Sequence, residues 1–574
     1  MNKDNLFYYQ KEIAYLHETR ELFIKKYPKL APFLAYDSKD PDVERMIENL
    51  AVLTSKIHQE MDQNIPYIAE SLINIISPNY TSPLPSLCMQ EFSFDKNNKD
   101  NYAFIPKGTY VKSSATHQCE CLFKTIYDVH LYPLVIENAS ISNERQFHTL
   151  NLSFKVSKEN INLSEIHLEK LMLYLGDDVY ISSTLLMYFH LYLHQIKVVS
   201  LDTNEIFRLN IYDICRMGLN PEESCLSYNE LGFEAFSLLR EYFFIPEKFN
   251  FICIKGLEIL QNCMGKRFTI EFKFTKPFPE ECVIRKELFS TSITPIVNVF
   301  EKSAEPIIYR HNNDGERIFI DRSKPDSYEI LSIKQVRAHN SDSGRRILKN
   351  YHGFERFRFL QESENEFYAT ANKRNSKGET YKVISFFSET NQIETITIDA
   401  LCCNKNLPST LKIGDINSCN LPDIFTKNIK IPSIMRSYKT DGNLLWKLVS
   451  ILSFSYQTML DKTSFFSVLE SYSFADDREN LEAYAILRES IIKIQSKSTY
   501  LVDEQIIKKG TMAIFFIKDS NFYSLGEVYR LGLILSKFLS SFASINSFCE
   551  LKIKCLDSNE ILYYPASFGK KAIL

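Results

Sequence analysis

The apolar periodicity of this chain changes near Pro83 and Pro85, and that change limits the fold more than any motif does. Before it, apolar residues recur at helical spacing; from 86 to 285 they alternate, as in "QEFSF", "CLFKTIYDVHLYPLVI" and "NFICIKGLEI". Helices therefore open the chain and sheets follow. Residues 8 to 28, "YYQKEIAYLHETRELFIKKYP", read as an amphipathic helix with two apolar stripes. At about 100° per residue, Tyr9, Ile13, Leu16, Phe23 and Tyr27 share one stripe, while Tyr8, Tyr15 and Leu22 stack roughly a third of a turn away. Glu12 and Thr19 fall in the gap between them. Such a helix suits a wedge between two neighbours. A terminal helix tucked into its own domain gives the same pattern, because patterning does not say whether the neighbour is another chain.

Pro28 and Pro32 stop this helix, and Asp40 with Pro41 restarts another as N-cap and first helical residue. Val43, Ile47, Leu50, Thr54, Ile57 and Met61 then alternate spacings of four and three, a seam short for a coiled coil and suited to a helix bundle. A third helix runs from Pro66 to Pro78. Within the strand region, Gly108 after Pro106 marks a turn, and two helices interrupt, at 181 to 195 and at "AFSLLREYFFIP". Short strands and polar loops continue from 286 to 430. The last part opens with helices at "NLLWKLVSILSFSYQTML", "FFSVLESYSF" and "RENLEAYAILRESIIKI". A β-α-β-β unit follows, made of "MAIFFIK", a helix from Leu525 to Phe542, "FCELKIKCL" and "EILYY". Val528, Leu531, Leu535, Phe538 and Phe542 give that helix one face for one sheet, and the unit leaves a sheet edge to be paired or covered. No fixed-period repeat occurs, which removes solenoids and propellers. The expectation is a multi-domain α+β chain: a helical segment over 1–85 as a bundle candidate, a β-rich domain with inserted helices over 86–285, a second β-rich domain over 286–430, and a helical and α/β domain over 431–574.

Chemistry is sparse. A net charge of −4 without a basic stripe argues against a nucleic-acid footprint. Thirteen cysteines, odd in number and scattered, suit free buried thiols in a reducing cytosol. The start "MNKDNLFYYQKE" lacks the pattern of an export signal, and the longest apolar run, 183 to 199, holds two histidines and a lysine and falls short of the roughly 20 residues a membrane span needs. In "HLYLH", His190 and His194 stand four apart on one helical face, but Leu191 replaces the glutamate of a metalloprotease, so partly buried histidines are expected rather than zinc ligands. "CEC" (Cys119, Cys121) and "CC" (Cys402, Cys403) lack the spacing of a zinc pair, and Glu222 and Glu223 in "NPEES" suit a solvated loop. No phosphate-cradling or nucleophile-elbow motif occurs. No catalytic, cofactor or metal residue is assigned. With 32 Tyr and 42 Phe, a binding or scaffold role gains by elimination, and a cytosolic hydrolase with a site assembled from distant residues stays as the alternative.

Several stretches, in order along the whole chain, resemble one family. They are "YYQKEIAYLHETRELFIKKYPKLAPFL" with "DPDVERMIENLAVLTSKIHQEMDQNIPYIAESLINIISPNYTSPLPS", "CLFKTIYDVHLYPL", "GFEAFSLLREYFFIPEKFNFICIKGL", "TPIVNVFEKSAEPI" with "RSKPDSYEILSI", and finally "LLWKLVSILS" and "FASINSFCEL". Together they resemble TssF (ImpG/VasA), the baseplate wedge protein of type VI secretion systems. Arg240 stands where the family is expected to carry glutamine, Tyr564 where it favours tryptophan, and 334–430 matches least. The resemblance implies a wedge component like those of contractile phage tails, two TssF per TssG, joined by TssK and TssE. Six such wedges would surround the VgrG hub in the cytoplasm, docked indirectly on the inner-membrane complex, as a platform for tube and sheath. It implies no catalysis, no cofactor, no nucleic acid and no membrane insertion. On this reading Tyr8, Tyr9, Ile13, Tyr15, Leu16, Leu22, Phe23, Tyr27, Ile47, Leu50, Ile57 and Met61 are the candidate partner interface.

Overall fold

The structure, a computed structural model, describes residues 3–27, 45–46, 48–57, 83–95, 100–114, 119–143, 147–225, 234–310, 315–340, 344–350, 366–374, 380–387, 393–437, 456–470, 478–503, 506–545 and 547–569. The chain divides into two compact units, one of Met1–Ile76 with Lys439–Leu452, the other of Ser77–Tyr438 with Ser453–Leu574. In the smaller unit, helix α1 (Lys3–Lys26) ends two residues before Pro28, with Lys25 and Lys26 in its last turn where the helix dipole favours cations. Residues 45–46 and 48–57 are helical as well.

The larger unit is built on sheets. In the first, the strand that follows the proline boundary, Leu87–Phe94, lies between Ile293–Val297 and Ile424–Asn428, and Leu122–Thr125, Tyr110–Ser113 and Ile416–Cys419 complete the six strands. Strands from both sides of residue 285 share it, so it closes only when the chain returns twice from far away. Buried amides hold the returns. Gln90 Nε2 donates to the Ile416 carbonyl (2.8 Å) and to Thr426 Oγ1 (2.6 Å), and Asn428 Oδ1 accepts from the N–H of Gly414 (3.0 Å) and Ile416 (2.9 Å). Asn298 Nδ2 donates to Asn404 Oδ1 (2.9 Å) while the Asn404 N–H donates to Asn298 Oδ1 (2.6 Å). Each pairing spares a buried polar group its desolvation cost. At Gly108 the turn expected after Pro106 is present, with φ at +86°, a region glycine enters without strain.

An antiparallel five-stranded sheet follows, ordered Ile206–Leu209, Leu193–Ser200, Arg267–Phe274, His148–Val156, Leu134–Asn143, with Leu150, Leu152, Phe154, Phe268, Ile270 and Phe272 on its buried face. Beside it in sequence, Ile214–Arg216, Phe251–Lys255 and Lys170–Tyr174 form a three-stranded sheet, and strands between Phe300 and Cys403 form an eight-stranded one with its own core. Helix α2 (Val179–Met187) ends earlier than the expected 181 to 195. Tyr188–Tyr192 form a π-helical turn, and a strand starts at Leu193 because "LHQIKVVS" alternates and finds partners in Arg267–Phe274. Helix α3 (Glu234–Phe244) stops before Pro246, which opens a 3-10 turn.

Helices α4 (Lys462–Glu470) and α5 (Arg478–Ser490) lead into the C-terminal sheet. "IIKI", expected to end the α5 helix, is instead the start of the strand Ile491–Asp503, where two β-branched residues in a row favour extended backbone and Ile506–Ile517 offers a partner. That strand covers the edge the β-α-β-β unit would have left on this side. Ile506–Ile517 runs parallel to Phe548–Cys555 through helix α6 (Leu525–Ser540), and Ile561–Phe568 closes the sheet. Helix α6 buries more than the one face expected. Leu533, Ile534, Leu539 and Arg530 are buried along with Val528, Leu531, Leu535 and Phe538, since α2 and α3 pack on one side and the sheet on the other.

Gly526 makes the α2 contact possible: a Cβ there would lie 2.4 Å from the Ser183 carbonyl carbon and oxygen. Alanine gains about 1 kcal/mol over glycine inside a helix, whereas forcing packed backbones apart costs about 1–3 kcal/mol or more. A backbone contact as short as 2.4 Å puts the cost at the upper end of that range, so Gly526→Ala should lower the unfolding free energy in urea by about 1–2 kcal/mol net. An unchanged or raised midpoint would mean that the two helices are free to separate.

Candidate functional site

The expected interface residues begin in α1. Tyr9, Ile13 and Leu16 are half-buried, Tyr15 and Tyr27 exposed. Glu12, read as filling a polar gap, is buried, while Thr19 is exposed and donates from Oγ1 to the Tyr15 carbonyl (2.8 Å). Of the other candidates, the Tyr8, Leu22 and Phe23 side chains, Ile47 and Met61 lie outside the described residues. Leu50 and Ile57 are 46% and 47% exposed, and two residues that the sequence reading passed over join them, Met46 at 75% and Leu53 at 58%. Positions 46, 50, 53 and 57 step by four, three and four, so the four side chains form one outward stripe, with Ala51 and Ser55 buried on the opposite face. Leu50 and Ile57 belong to the expected seam as well, Thr54 of that seam is half-buried, and Val43 and Ile47 lie outside the described residues. Small Ala51 and Ser55 were the signal, since inward positions this small leave the large apolar side chains to face out.

Several buried titratable groups of the larger unit are engaged in structure. Lys248 is fully buried, and its Nζ donates to Glu241 Oε2; Glu241 Oε1 also accepts from the Cys225 N–H (2.7 Å) and the Ser224 hydroxyl. Tyr127 donates its hydroxyl proton to the Lys248 carbonyl (2.8 Å). An ion pair buried in this way holds a fold in register, and removing one partner of such a pair costs about 3–5 kcal/mol. A lysine inside "YFFIPEKFNFI" gave no sequence sign of this. Burial pushes the thiols of Cys88, Cys121, Cys402, Cys403 and Cys555 up to about 12, so each is a neutral thiol and a poor nucleophile at neutral pH. All thirteen cysteines are free. Glu223 spends its carboxylate on the N–H groups of Gly218 (2.9 Å) and Asn220 (3.0 Å), and exposed Glu222 pairs with Lys107 at 3.7 Å beside a cavity of about 230 Å³ that also meets His130, Lys170 and Cys253. His130 shares a hydrogen bond between Nδ1 and the Tyr102 hydroxyl (2.8 Å). Among the described residues no three His, Cys, Asp or Glu side chains gather as a metal site would require. No described helix is long and apolar enough to cross a membrane.

His190 and His194 do not share a helical face. The first sits in the π turn against Tyr529 (centroids 5.9 Å apart), and the second, in the following strand, stacks on Phe147 at 5.0 Å. Burial, helped by Arg216, pushes the His190 pKa down to about 3. An unfolded imidazole takes a proton near pH ~6.5. Between these values the unfolded chain binds a proton the folded one refuses, so stability is full above about pH 6.5 and falls as pH drops, by about 1.4 kcal/mol per unit from this group. His190→Phe should flatten the dependence of urea stability on pH between about 6 and 4.5. A slope equal to that of the parent would show that this ring is not the group responsible.

Comparison with known proteins follows the same line. The family model described as type VI secretion system, TssF matches residues 1–571. The type VI secretion system component TssF1 of Pseudomonas aeruginosa (strain PAO1) is 24% identical over 621 residues, covering all of both chains. A chain in the cryo-electron microscopy structure of a TssK-TssF-TssG baseplate subcomplex shares the fold with a TM-score of 0.78 at 20% identity, over 92% of this chain and 99% of that one. A chain of a type VI secretion baseplate complex does so with a TM-score of 0.62 at 18% identity, over 99% and 100%. With essentially the whole sequence inside one family model, the chain belongs to the TssF family of the type VI secretion system.

Proposed function

We propose that this chain is a structural subunit of the type VI secretion baseplate and performs no reaction. Its N-terminal helices, residues 1–85, serve as the wedge-core bundle segment, meeting TssG and a second copy of the chain. TssK and TssE complete the wedge, wedges surround the VgrG hub, and the assembly works in the cytoplasm against the inner-membrane complex. The outward stripe of Met46, Leu50, Leu53 and Ile57 carries this reading. Four large apolar side chains left in water at heptad spacing favour a helical partner. The chains in solved baseplate complexes that share this fold support it.

Two copies of one chain around one different chain are not all symmetry-equivalent, so one apolar surface must accept unlike neighbours. Tyr15 and Tyr27, exposed on α1, extend the surface available for that. Burying the remaining exposed half of the four stripe residues gains on the order of 5 kcal/mol gross. Association costs of about 4–15 kcal/mol absorb that gain. The stripe is therefore one part of a larger contact, which fits a subunit held by several partners at once.

Co-expression with TssG should yield a complex that native mass measurement assigns two copies of this chain. Leu50→Asp with Leu53→Asp places two charges on side chains already exposed in the free chain, so its far-ultraviolet spectrum and thermal transition should match the parent while the TssG complex is lost. A double variant that still assembles two copies would remove the N-terminal helices from the interface.

A further inference from the structure

Among the described residues, the C-terminal sheet has one face under helices and one without. On the first, Ala513, Phe515, Ile517, Leu551 and Ile553 are buried, with Phe465 of α4 edge-on to Phe515 at 5.4 Å and α6 packed across the other strands. The cross-strand register sets the second face: Lys493, Phe516, Lys554 and Ile561 form one row, and Gln495, Ile514, Lys552 and Tyr563 the next. Lys497 and Lys508 extend the same face towards the hairpin end. Lys493, Gln495 and Lys497 are exposed, as are Ile561 and Tyr563. Lys554 Nζ stands 5.2 Å from the Phe516 ring centre and Lys508 Nζ 4.5 Å from that of Phe568. Among the described side chains on this face the carboxylate is Glu550, which is buried and hydrogen-bonded to Tyr563. A concentrated positive face on a chain of net charge −4 is a local feature, not a consequence of composition.

Among the described residues, the edge beside this face lacks a strand partner. Ile491–Asp503 is thirteen residues long and pairs with Ile506–Ile517; no other described strand pairs with it. The next strand begins opposite Gly510, so the ribbon of these two strands runs on past the sheet, with Tyr500, Val502 and Ile507 66%, 71% and 70% exposed. Lysines on an edge strand often serve to repel stray pairing. Lys552 and Lys554 stand two strands inside the edge, where they repel nothing, so the charge belongs to the face.

We propose that this face and its free edge receive an acidic, extended segment of another polypeptide, which adds as a fifth strand beside Ile491–Asp503. The proposal concerns the opposite end of the chain from the helical stripe and stands or falls independently of it. Apart from the Ile492 carbonyl, which accepts from Lys462 Nζ (3.0 Å), the outward N–H and C=O groups along the edge have no described strand partner and call for one with a peptide backbone, which a nucleic acid lacks. Carboxylates on alternate residues would meet Lys493 and Lys497, about 13 Å apart along the strand, and apolar residues between them would cover Tyr500 and Val502. A second copy of this edge is disfavoured, because antiparallel pairing sets lysines against lysines.

The test uses the full chain and three fluorescent probes: a peptide of about ten residues alternating Glu and Val, the same length alternating Glu and Pro, and a short oligothymidylate. The Glu-Val peptide should bind and slow amide exchange across 491–503. The Glu-Pro peptide, which keeps the charge but is held by its prolines near polyproline II backbone, out of register with a ladder, should bind at least about tenfold more weakly. Lys493→Glu with Lys497→Glu should weaken Glu-Val binding by about tenfold or more, and Lys493→Arg with Lys497→Arg should preserve it. Equal binding of the Glu-Pro peptide or of oligothymidylate would reduce the face to a general anion attractor. Absence of Glu-Val binding would overturn the proposal outright.

Discussion

Helix α6 has almost no solvent face, and the architecture of the larger unit depends on that. Its Gly526 touches α2 backbone to backbone, and Ser524, its N-cap, shares a hydrogen bond with Ser183 (2.9 Å). Buried Arg530 donates from Nη1 to Asn250 Oδ1 (2.9 Å), and Asn250 passes the connection to the Gly176 carbonyl (3.1 Å) and Ser182 Oγ (3.0 Å). A β-α-β-β unit alone would offer its helix one sheet and leave the other side wet. Here the other side is α2 and α3, so the last strands of the chain share a core with segments some three hundred residues earlier, a separation visible in the numbering of Asn250 and Arg530. Pulling the C-terminal sheet away would expose apolar surface and break the Arg530–Asn250 bond, leaving the Asn250 carbonyl oxygen without that donor, and each adds to the cost of doing so.

The same contact explains why stretches without chemical motifs carried the family resemblance. "GFEAFSLLREYFFIPEKFNFICIKGL" supplies the α3 face against α6, the Glu241–Lys248 pair, Asn250 and the strand Phe251–Lys255. "CLFKTIYDVHLYPL" supplies Tyr127, whose hydroxyl reaches Lys248, and Leu122, whose carbonyl accepts from Asn298. These residues are tied together by buried polar bonds, and such bonds tolerate few substitutes because each leaves a partner unsatisfied. A sequence can thus be recognisable through its interior connections alone.

Local rules made much of this fold legible. Pro28, Pro246 and the Pro106–Gly108 turn act within a few residues, and α1, α3 and the turn appear where they imply. The β-α-β-β order followed from spacing alone. What escaped was set by distant partners: the strand starting at Leu193 exists because Arg267–Phe274 is there to pair with it, and that starting at Ile491 because Ile506–Ile517 is. The outward stripe of the second helix escaped for a related reason. Periodicity finds an apolar seam, but which of two adjacent rows faces out is decided by what Ala51 and Ser55 pack against, and a heptad has no local term for that. Five lysines scattered over Lys493 to Lys554 are no motif in one dimension; pairing of strands brings them to one face.

The two surfaces left open by the fold differ in physical kind, and the difference predicts how each would respond to its surroundings. An apolar helical stripe gains from water release, which salt strengthens slightly and which carries little orientation. A lysine face beside a free strand edge draws its partner over distances near the Debye length of about 8 Å at physiological ionic strength, and the edge then fixes direction and register through the backbone. A chain that took up several partners in order would benefit from having both. Contacts of the first kind tolerate unlike neighbours, and contacts of the second discriminate among them, so raising ionic strength should loosen the second while leaving the first in place.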